Sequence, residues 1–315
     1  MQDLVTALKA AAEPTRLRLL ALCSSSDLTV SELTQILGQS QPRVSRHLKL
    51  LHQAGLLDRQ REGSWVYFGL ADQGQAADLA RTLVESMPLN DPILTLDLER
   101  LQQVFQVRNK KTEAYFRTNA QHWNQIRSLY VDESEVERAL VELIQSESVE
   151  CLLDIGTGTG RILELFSKRV TKLIGIDSSS DMLQVARATL ARQRIRNCLL
   201  RRCNMYHLPF PGESFQAVTI HQVLHFAGNP LEVLREAARV LSPGGRVFLA
   251  DFEEHHLEEL RAEHAHRWLG FNSGTLQAWL REVGLEPEEH ISLAGGTLNV
   301  GVWTARHSVA GLDSP

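Results

Sequence analysis

The chain has 315 residues, 43% hydrophobic and 23% charged, a globular composition that excludes a mainly disordered or fibrous protein and a length that points to about two domains. Its formal net charge of -5 argues, taken whole, against a nucleic-acid binder, although a two-domain chain can hide a basic site inside an acidic sum. No run of about 18 apolar residues occurs, and Met1 to Ala12 lacks the charged-then-apolar layout of an export signal, so a cytoplasmic protein without membrane attachment is expected.

From Met1 to about Val84 short helical stripes alternate with turn residues. Leu17, Leu20 and Ala21, then Leu33 and Leu37, then Val44, Leu48 and Leu51 recur three or four apart, which predicts three helices facing a core. Leu57 to Leu70 alternates around Gly63-Ser64 as a hairpin does. Met87-Pro88-Leu89-Asn90-Asp91-Pro92 is the expected joint, since its two prolines interrupt a helix. Leu94 to Tyr130 is charged and reads as one or two connecting helices. From Cys151 onward apolar runs alternate with helical patterns. Strands are predicted at 151–155, 172–177, 197–201, 215–220 and 246–252, and helices at 160–168, 180–192, 230–241 and 274–284, before a closing strand pair. That alternation predicts a parallel sheet covered by helices on both faces. The expected division is 1–86, a connecting and capping stretch at 87–148, a larger domain at 149–308 and a tail at 309–315. Cys23, Cys151, Cys198 and Cys203 are scattered without a C-x-x-C pair, which argues against a disulfide framework and against structural zinc.

The stretch Leu37 to Lys49 reads as a turn entering a helix. Gly38 ends the preceding helix, Ser40 caps the next, and Pro42 fits a first turn. Val44, Leu48 and Leu51 then share one side, leaving Gln41, Arg43, Ser45, Arg46 and Lys49 for a partner. Arg pairs with guanine edges and Gln with adenine, so such a helix suits the major groove of DNA, with Arg59 and Arg61 of the hairpin reaching phosphates. Residues 41 to 61 set Arg43, Arg46, Lys49, Arg59 and Arg61 against Asp58 alone, enough positive charge for a salt-dependent affinity. With Pro14-Thr15-Arg16-Leu17, Ser40-Gln41-Pro42, Val44 to Leu51 and Ala54-Gly55-Leu56, residues 13 to 85 resemble the ArsR/SmtB-type winged-helix repressors. The resemblance implies a homodimer whose recognition helices read a two-fold operator. Many of those repressors sense metals through cysteines before the turn, but Asp27 to Leu33 contains none, so no metal site is expected. His255, His256, His264 and His266 lie in a charged stretch read as helical, and a solvated or substrate-facing role is expected for them.

Cys151 to Arg161 is an apolar strand running into D-x-G-x-G-x-G and a helix. Gly156, Gly158 and Gly160 let backbone approach a ligand, while Arg161 and Leu163 stand where a dinucleotide turn needs its last glycine. Asp177 ends the next strand, placed for both hydroxyls of a ribose, and Asp154 is placed for a cationic amino group. Together these describe S-adenosylmethionine better than NAD. Asp154 to Gly160, Ile176-Asp177-Ser178-Ser179-Ser180-Asp181-Met182, Leu208-Pro209-Phe210 and Ala238 to Gly245 resemble the class I S-adenosylmethionine-dependent methyltransferases, over residues 150 to 252. The fold class implied is α/β, a winged helix-turn-helix domain followed by a Rossmann-like domain with a mostly parallel sheet and a closing antiparallel strand. The resemblance assigns the methionine part to the three glycines, the ribose to Asp177, the adenine faces to Met182 and Met205, and the adenine amino group to the side-chain oxygen of Asn204, with Ser178 counted among the cofactor contacts.

Methyl transfer asks mainly for alignment of the nucleophile and exclusion of water, so catalytic residues are poorly marked. His221, His225, Tyr206, His207, His122 and Trp123 are candidates, with His221 counted among the cofactor contacts, and Glu263 to Phe271 is favoured for an acceptor. The expected protein is an operator-binding regulator with a methyltransferase acting on a small-molecule acceptor. The alternative is a non-catalytic sensor of S-adenosylmethionine or S-adenosylhomocysteine. A DNA methyltransferase is disfavoured, since neither an Asn/Asp-Pro-Pro-aromatic motif nor a Pro-Cys site is present.

Overall fold

The computed structural model describes residues 2–26, 28–62, 65–71, 74–88, 90–120, 123, 133–145, 149–295 and 297–308. The side chains of 2, 60–62, 65, 105, 107–114, 117 and 145 lie outside that description. Two compact units divide the chain, Met1–Lys110 and Lys111–Pro315. The 87–148 stretch is therefore shared between them. Among the described residues no helix is long and apolar enough to cross a membrane.

The first unit runs α1 (Gln2–Ala11), α2 (Pro14–Ser25), β1 (Leu28–Thr29), α3 (Val30–Leu37), α4 (Gln41–Gln53), β2 (Leu57–Glu62), β3 (Trp65–Leu70) and α5 (Gln75–Glu85), with β3 between the other two strands. Local chemistry sets the ends. Thr29 and Glu32 bond each other's backbone reciprocally to start α3, and Gly38, at φ +63°, ends it. Ser40 stands at the start of α4 but makes no side-chain cap, contrary to expectation; its carbonyl instead accepts from Arg43 and Val44. Val44, Leu48 and Leu51 are fully buried, with Leu19, Leu33 and Phe68 in the same core, and each such side chain contributes about 1.5–3 kcal/mol by leaving water. The hairpin pairs Leu57 with Leu70 and Arg61 with Val66; its turn, Gly63-Ser64, lies outside the described residues.

Pro92 opens a helix rather than interrupting one. Asp91 Oδ1 accepts from the amides of Ile93 and Leu94, and α6 (Pro92–Asn119) then continues as a single helix of 28 residues. Its first half belongs to the first core. Arg18 holds Asp97 with both guanidinium arms, at 2.6 and 2.7 Å, and Arg100 donates to Ile36 O, while Leu101 and Val104 are buried.

In the second unit the elements are α7 (Glu133–Gln145), β4 (Cys151–Ile155), α8 (Arg161–Phe166), β5 (Lys172–Asp177), α9 (Ser180–Arg192), β6 (Cys198–Arg202), β7 (Phe215–His221), a 3-10 turn at Leu224–Phe226, α10 (Pro230–Val240), β8 (Leu241–Phe252), α11 (Glu259–Glu263), α12 (Ser273–Glu282), β9 (Leu285–Leu293) and β10 (Val300–His307). The sheet order β6-β5-β4-β7-β8-β10-β9 is parallel through β8, and β10 runs antiparallel to both neighbours, the Rossmann-like layout implied by the resemblance. β4, β5 and β7 are buried on both faces, which is why they read as continuous apolar runs. Of the charged stretch holding the four histidines, only Glu259–Glu263 is helical.

Candidate functional site

The carboxyl ends of β4, β5, β7 and β8 converge where open α/β sheets take their ligands. After β4, Gly156, Gly158 and Gly160 all lie in the left-handed region, at φ +70°, +51° and +83°, which glycine adopts without strain. A Cβ on Gly156 would fall 2.3 Å from Val223 Cγ2, whereas one on Gly158 would meet nothing nearer than Trp123 Nε1 at 3.7 Å. A side chain at Gly158 would thus meet Trp123 in ordinary contact, whereas one at Gly156 has no room.

Asp154 is 1% exposed, and its Oδ1 accepts from Thr219 Oγ1 at 2.8 Å. Its Oδ2 and the Thr157 hydroxyl are buried and neither makes a well-formed hydrogen bond, the hydroxyl standing near enough to the carboxylate to favour its charged form. Burial pushes the Asp154 pKa up to about 6, against the opposing effects of the Thr157 and Thr219 hydroxyls and His221. A buried, under-bonded carboxylate beside a glycine turn suits a cationic group. Asp177 is already engaged at both oxygens: Oδ2 accepts from Gly158 N at 2.9 Å and Oδ1 from Ser179 N at 2.8 Å. Each oxygen retains a lone pair, so a ribose would share the carboxylate rather than own it. Burial raises the Asp177 pKa, opposed by the amides of Ser179, Gly158 and Ser178.

The remaining expected residues spread along this edge. Ser178 is exposed, its carbonyl accepting from Arg202 Nε. Met182 is buried in α9 and Met205 packs partly buried against the core. The Asn204 oxygen accepts from Tyr206 N at 3.1 Å, so the local turn uses one of its two lone pairs and leaves the other for the expected adenine amino group. His221 is buried with Nε2 3.4 Å from Glu133 Oε2, and Glu133 Oε1 accepts from Gln222 Nε2 at 2.7 Å. Gln222 itself sits at φ +52°, a strained position for a side-chain-bearing residue.

Over the glycine turn lies an aromatic group. Phe116 meets Trp123 at 5.2 Å and Phe226 at 4.8 Å, both edge-on. Tyr115 Oη pairs with His264 Nδ1 at 2.7 Å, and His266 stacks on His225 at 4.1 Å. His225 Nδ1 is 2.6 Å from Asp251 Oδ1, in a pair 2% and 0% exposed. Burial first, and then the neighbouring His225, hold His266 well below the ordinary histidine range and His255 down to about 4; the solvated half of the expectation therefore fails for these two, while His256 is exposed and the substrate-facing half is left open. Tyr206 Oη accepts from Gly228 N, His207 is exposed, and His122 lies outside the described residues. Asp251, Glu133 and Gln222 were not picked out by sequence; Asp251 lies one residue before the end of β8, near where Asp177 ends β5, and was findable by a similar rule. Among the described residues no group of three or more His, Cys, Asp or Glu is arranged to hold a metal.

In the first unit α4 presents Gln41, Arg43, Ser45, Arg46 and Lys49, all exposed, opposite its buried stripe. His47 Nδ1 is 3.6 Å from Glu13, and burial, with Arg16, Arg43 and Arg46 nearby, lowers its pKa against the pull of Glu13. Arg59 is exposed on β2; the Arg61 side chain lies outside the described residues.

Two families match. Residues 13–59 match the bacterial regulatory protein, arsR family, and residues 153–249 match the methyltransferase domain. The uncharacterized methyltransferase YcgJ of Bacillus subtilis is 30% identical over 139 residues, covering 42% of this chain and 55% of that protein. The demethylmenaquinone methyltransferase of Tropheryma whipplei is 33% identical over 144 residues, covering 46% and 56%. The chain thus spans about half the length of these curated relatives. In fold, the crystal structure of YcgJ superposes with TM-score 0.50 at 20% identity, over 56% of this chain and 99% of that one. The (4+2) cyclase SpnF superposes with TM-score 0.50 at 18% identity, over 56% and 81%. The fold alone therefore leaves the chemistry open.

Proposed function

We propose, from the premise that this chain joins an ArsR-family helix-turn-helix segment to a class I methyltransferase domain, that it is a homodimeric transcriptional regulator. It binds operator DNA through α4 and transfers a methyl group from S-adenosylmethionine to a small-molecule acceptor. The observation that carries the cofactor reading is the buried Asp154 carboxylate, whose Oδ2 lacks a well-formed hydrogen bond, beside the left-handed glycine turn. Gly156, Gly158 and Gly160 would line the methionine part, Asp154 would face its ammonium group and Asp177 would share its lone pairs with the ribose. When bound, the cofactor supplies an electrophilic methyl on a sulfonium. The chain's own task is alignment and dryness: Trp123, Phe116 and Phe226 cover the turn with apolar surface, and Asp251 fixes the orientation of the His225 ring.

Calorimetry tests this reading. Asp177→Ala is expected to weaken S-adenosylmethionine binding while the fold persists; undiminished binding refutes the cofactor site. Arg46→Ala is expected to weaken operator binding by about 1–3 kcal/mol if the arginine contacts a base edge, and an unchanged affinity removes it from the interface.

One observation favours a second reading, a sensor without turnover. The most strongly held histidine, His225, is 2% exposed, so the site offers an acceptor little access to a base. Operator affinity measured with and without S-adenosylmethionine and S-adenosylhomocysteine separates the readings, since a ligand that prefers one DNA-binding state must shift that affinity by its own coupling factor.

A further inference from the structure

Positive charge in the second unit is concentrated at the end of the sheet opposite the glycine turn. Between Glu164 and Glu213 the sequence has nine Lys and Arg against Asp177 and Asp181, a net +7 that leaves -12 for the rest of the chain. Six of these cations fall in two short segments: Lys168, Arg169 and Lys172 lead into β5, and Arg192, Arg194 and Arg196 lead into β6. The segments lie side by side. Asn197 donates to Ser167 O at 3.0 Å and to Val170 O at 2.8 Å, and Leu173 N donates to Asn197 O at 2.9 Å. All six side chains are exposed, and apart from Arg169, which donates to Leu165 O, none makes a hydrogen bond or ion pair with a described residue. The nearest carboxylate in sequence, Glu164, is taken by Arg161 and Gln193. Arg201 and Arg202 differ, being engaged by Phe210 and Ser178 O at the other end of β6.

An ordinary solvated face mixes its signs; here six exposed cations face one exposed acidic neighbour, Glu150, whose carbonyl accepts from Lys172 N at 2.8 Å. Guanidinium forks match phosphate oxygens, the two segments contain no aromatic residue for stacking unpaired bases, and the exposed Leu199 on β6 is a single apolar side chain, short of the apolar centre that protein partners bury. We propose that this end of the second unit binds the phosphate backbone of double-stranded DNA without regard to sequence. It is a surface separate from α4, and the inference does not rest on either reading of the cofactor site.

The test uses the full chain with Lys168→Gln, Arg192→Gln and Arg196→Gln combined, leaving Arg194, at φ +58°, in place. Anisotropy titrations with a random-sequence duplex across a salt series give the slope of log affinity against log salt. Each lost phosphate contact lowers that slope by about 0.9, so a fall of about 2 to 3 is expected, with affinity reduced more than about tenfold at 0.1 M salt. An unchanged melting curve and an unchanged far-ultraviolet circular dichroism spectrum check the fold. An unchanged slope overturns the proposal. Arg43→Ala/Arg46→Ala is titrated in parallel: operator binding lost there but insensitive to the triple substitution overturns the second surface and leaves the α4 reading intact. Capture on phosphatidylglycerol vesicles that depends on the three residues, with duplex affinity unaffected, overturns the nucleic-acid assignment.

Discussion

Replacing Gly156 by alanine is expected to damage the second unit in two separable ways. The first is conformational: at φ +70° a side-chain-bearing residue costs about 1–2 kcal/mol. The second is steric. The added methyl would fall 2.3 Å from Val223 Cγ2 and 2.7 Å from Cγ1, and forcing a group into such a space costs typically about 1–3 kcal/mol. Together the loss is about 2–5 kcal/mol. Val223→Ala removes both clashing carbons while leaving the φ penalty untouched. A double-mutant cycle read by urea unfolding should therefore show Gly156→Ala/Val223→Ala more stable than the two single losses predict, by most of the steric part. If Gly156→Ala unfolds within about 0.5 kcal/mol of the parent, or if Val223→Ala brings no coupling, the close approach described here is refuted.

The pH dependence of stability carries the mark of Asp154. Its folded pKa of about 6 lies above the unfolded value of about 3.9, so between those values the folded chain holds a proton the unfolded chain has released, and stability falls as pH rises. The contribution is on the order of 3 kcal/mol, and Asp154→Asn should remove that descent in urea titrations from about pH 4 to 7; parallel curves would count against the burial of the charge. Asp251→Ala strands three buried donors, His225 Nδ1, His225 N and Phe252 N. At about 1–3 kcal/mol per orphaned group, thermal scans should show a loss above about 3 kcal/mol, and a loss below about 1 would mean water replaces the carboxylate.

Strand positions were legible because burial on both faces writes itself as an apolar run: β4 and β5 end where the sequence placed them. β8 was not, since it begins at Leu241 rather than 246. Ser242-Pro243-Gly244-Gly245 carry turn chemistry, yet Phe215 pairs with Leu241 before the register shifts and Ala217 pairs with Arg246. Pro92 misled because proline reads alike as breaker and first-turn residue until Asp91 is seen capping it. At the site, the glycines and Asp177 announce themselves through local spacing. Asp251, Glu133 and Val223 act through partners distant in sequence, and no local pattern reports such pairings. The aromatic group over the glycine turn was visible only in part, through Trp123, for the same reason.

The two amide hydrogen bonds to Asp177 have a consequence for selectivity. Gly158 and Ser179 are both held by the chain's own carboxylate, which ties the glycine turn to the end of β5 through bonds that any molecule with a ribose and an amino-acid tail would share. Under the proposed function, discrimination between a methylated sulfonium and its neutral, demethylated form would then fall to charge, and Asp154, ionised above about pH 6, is a group in the turn whose charge changes near the physiological range.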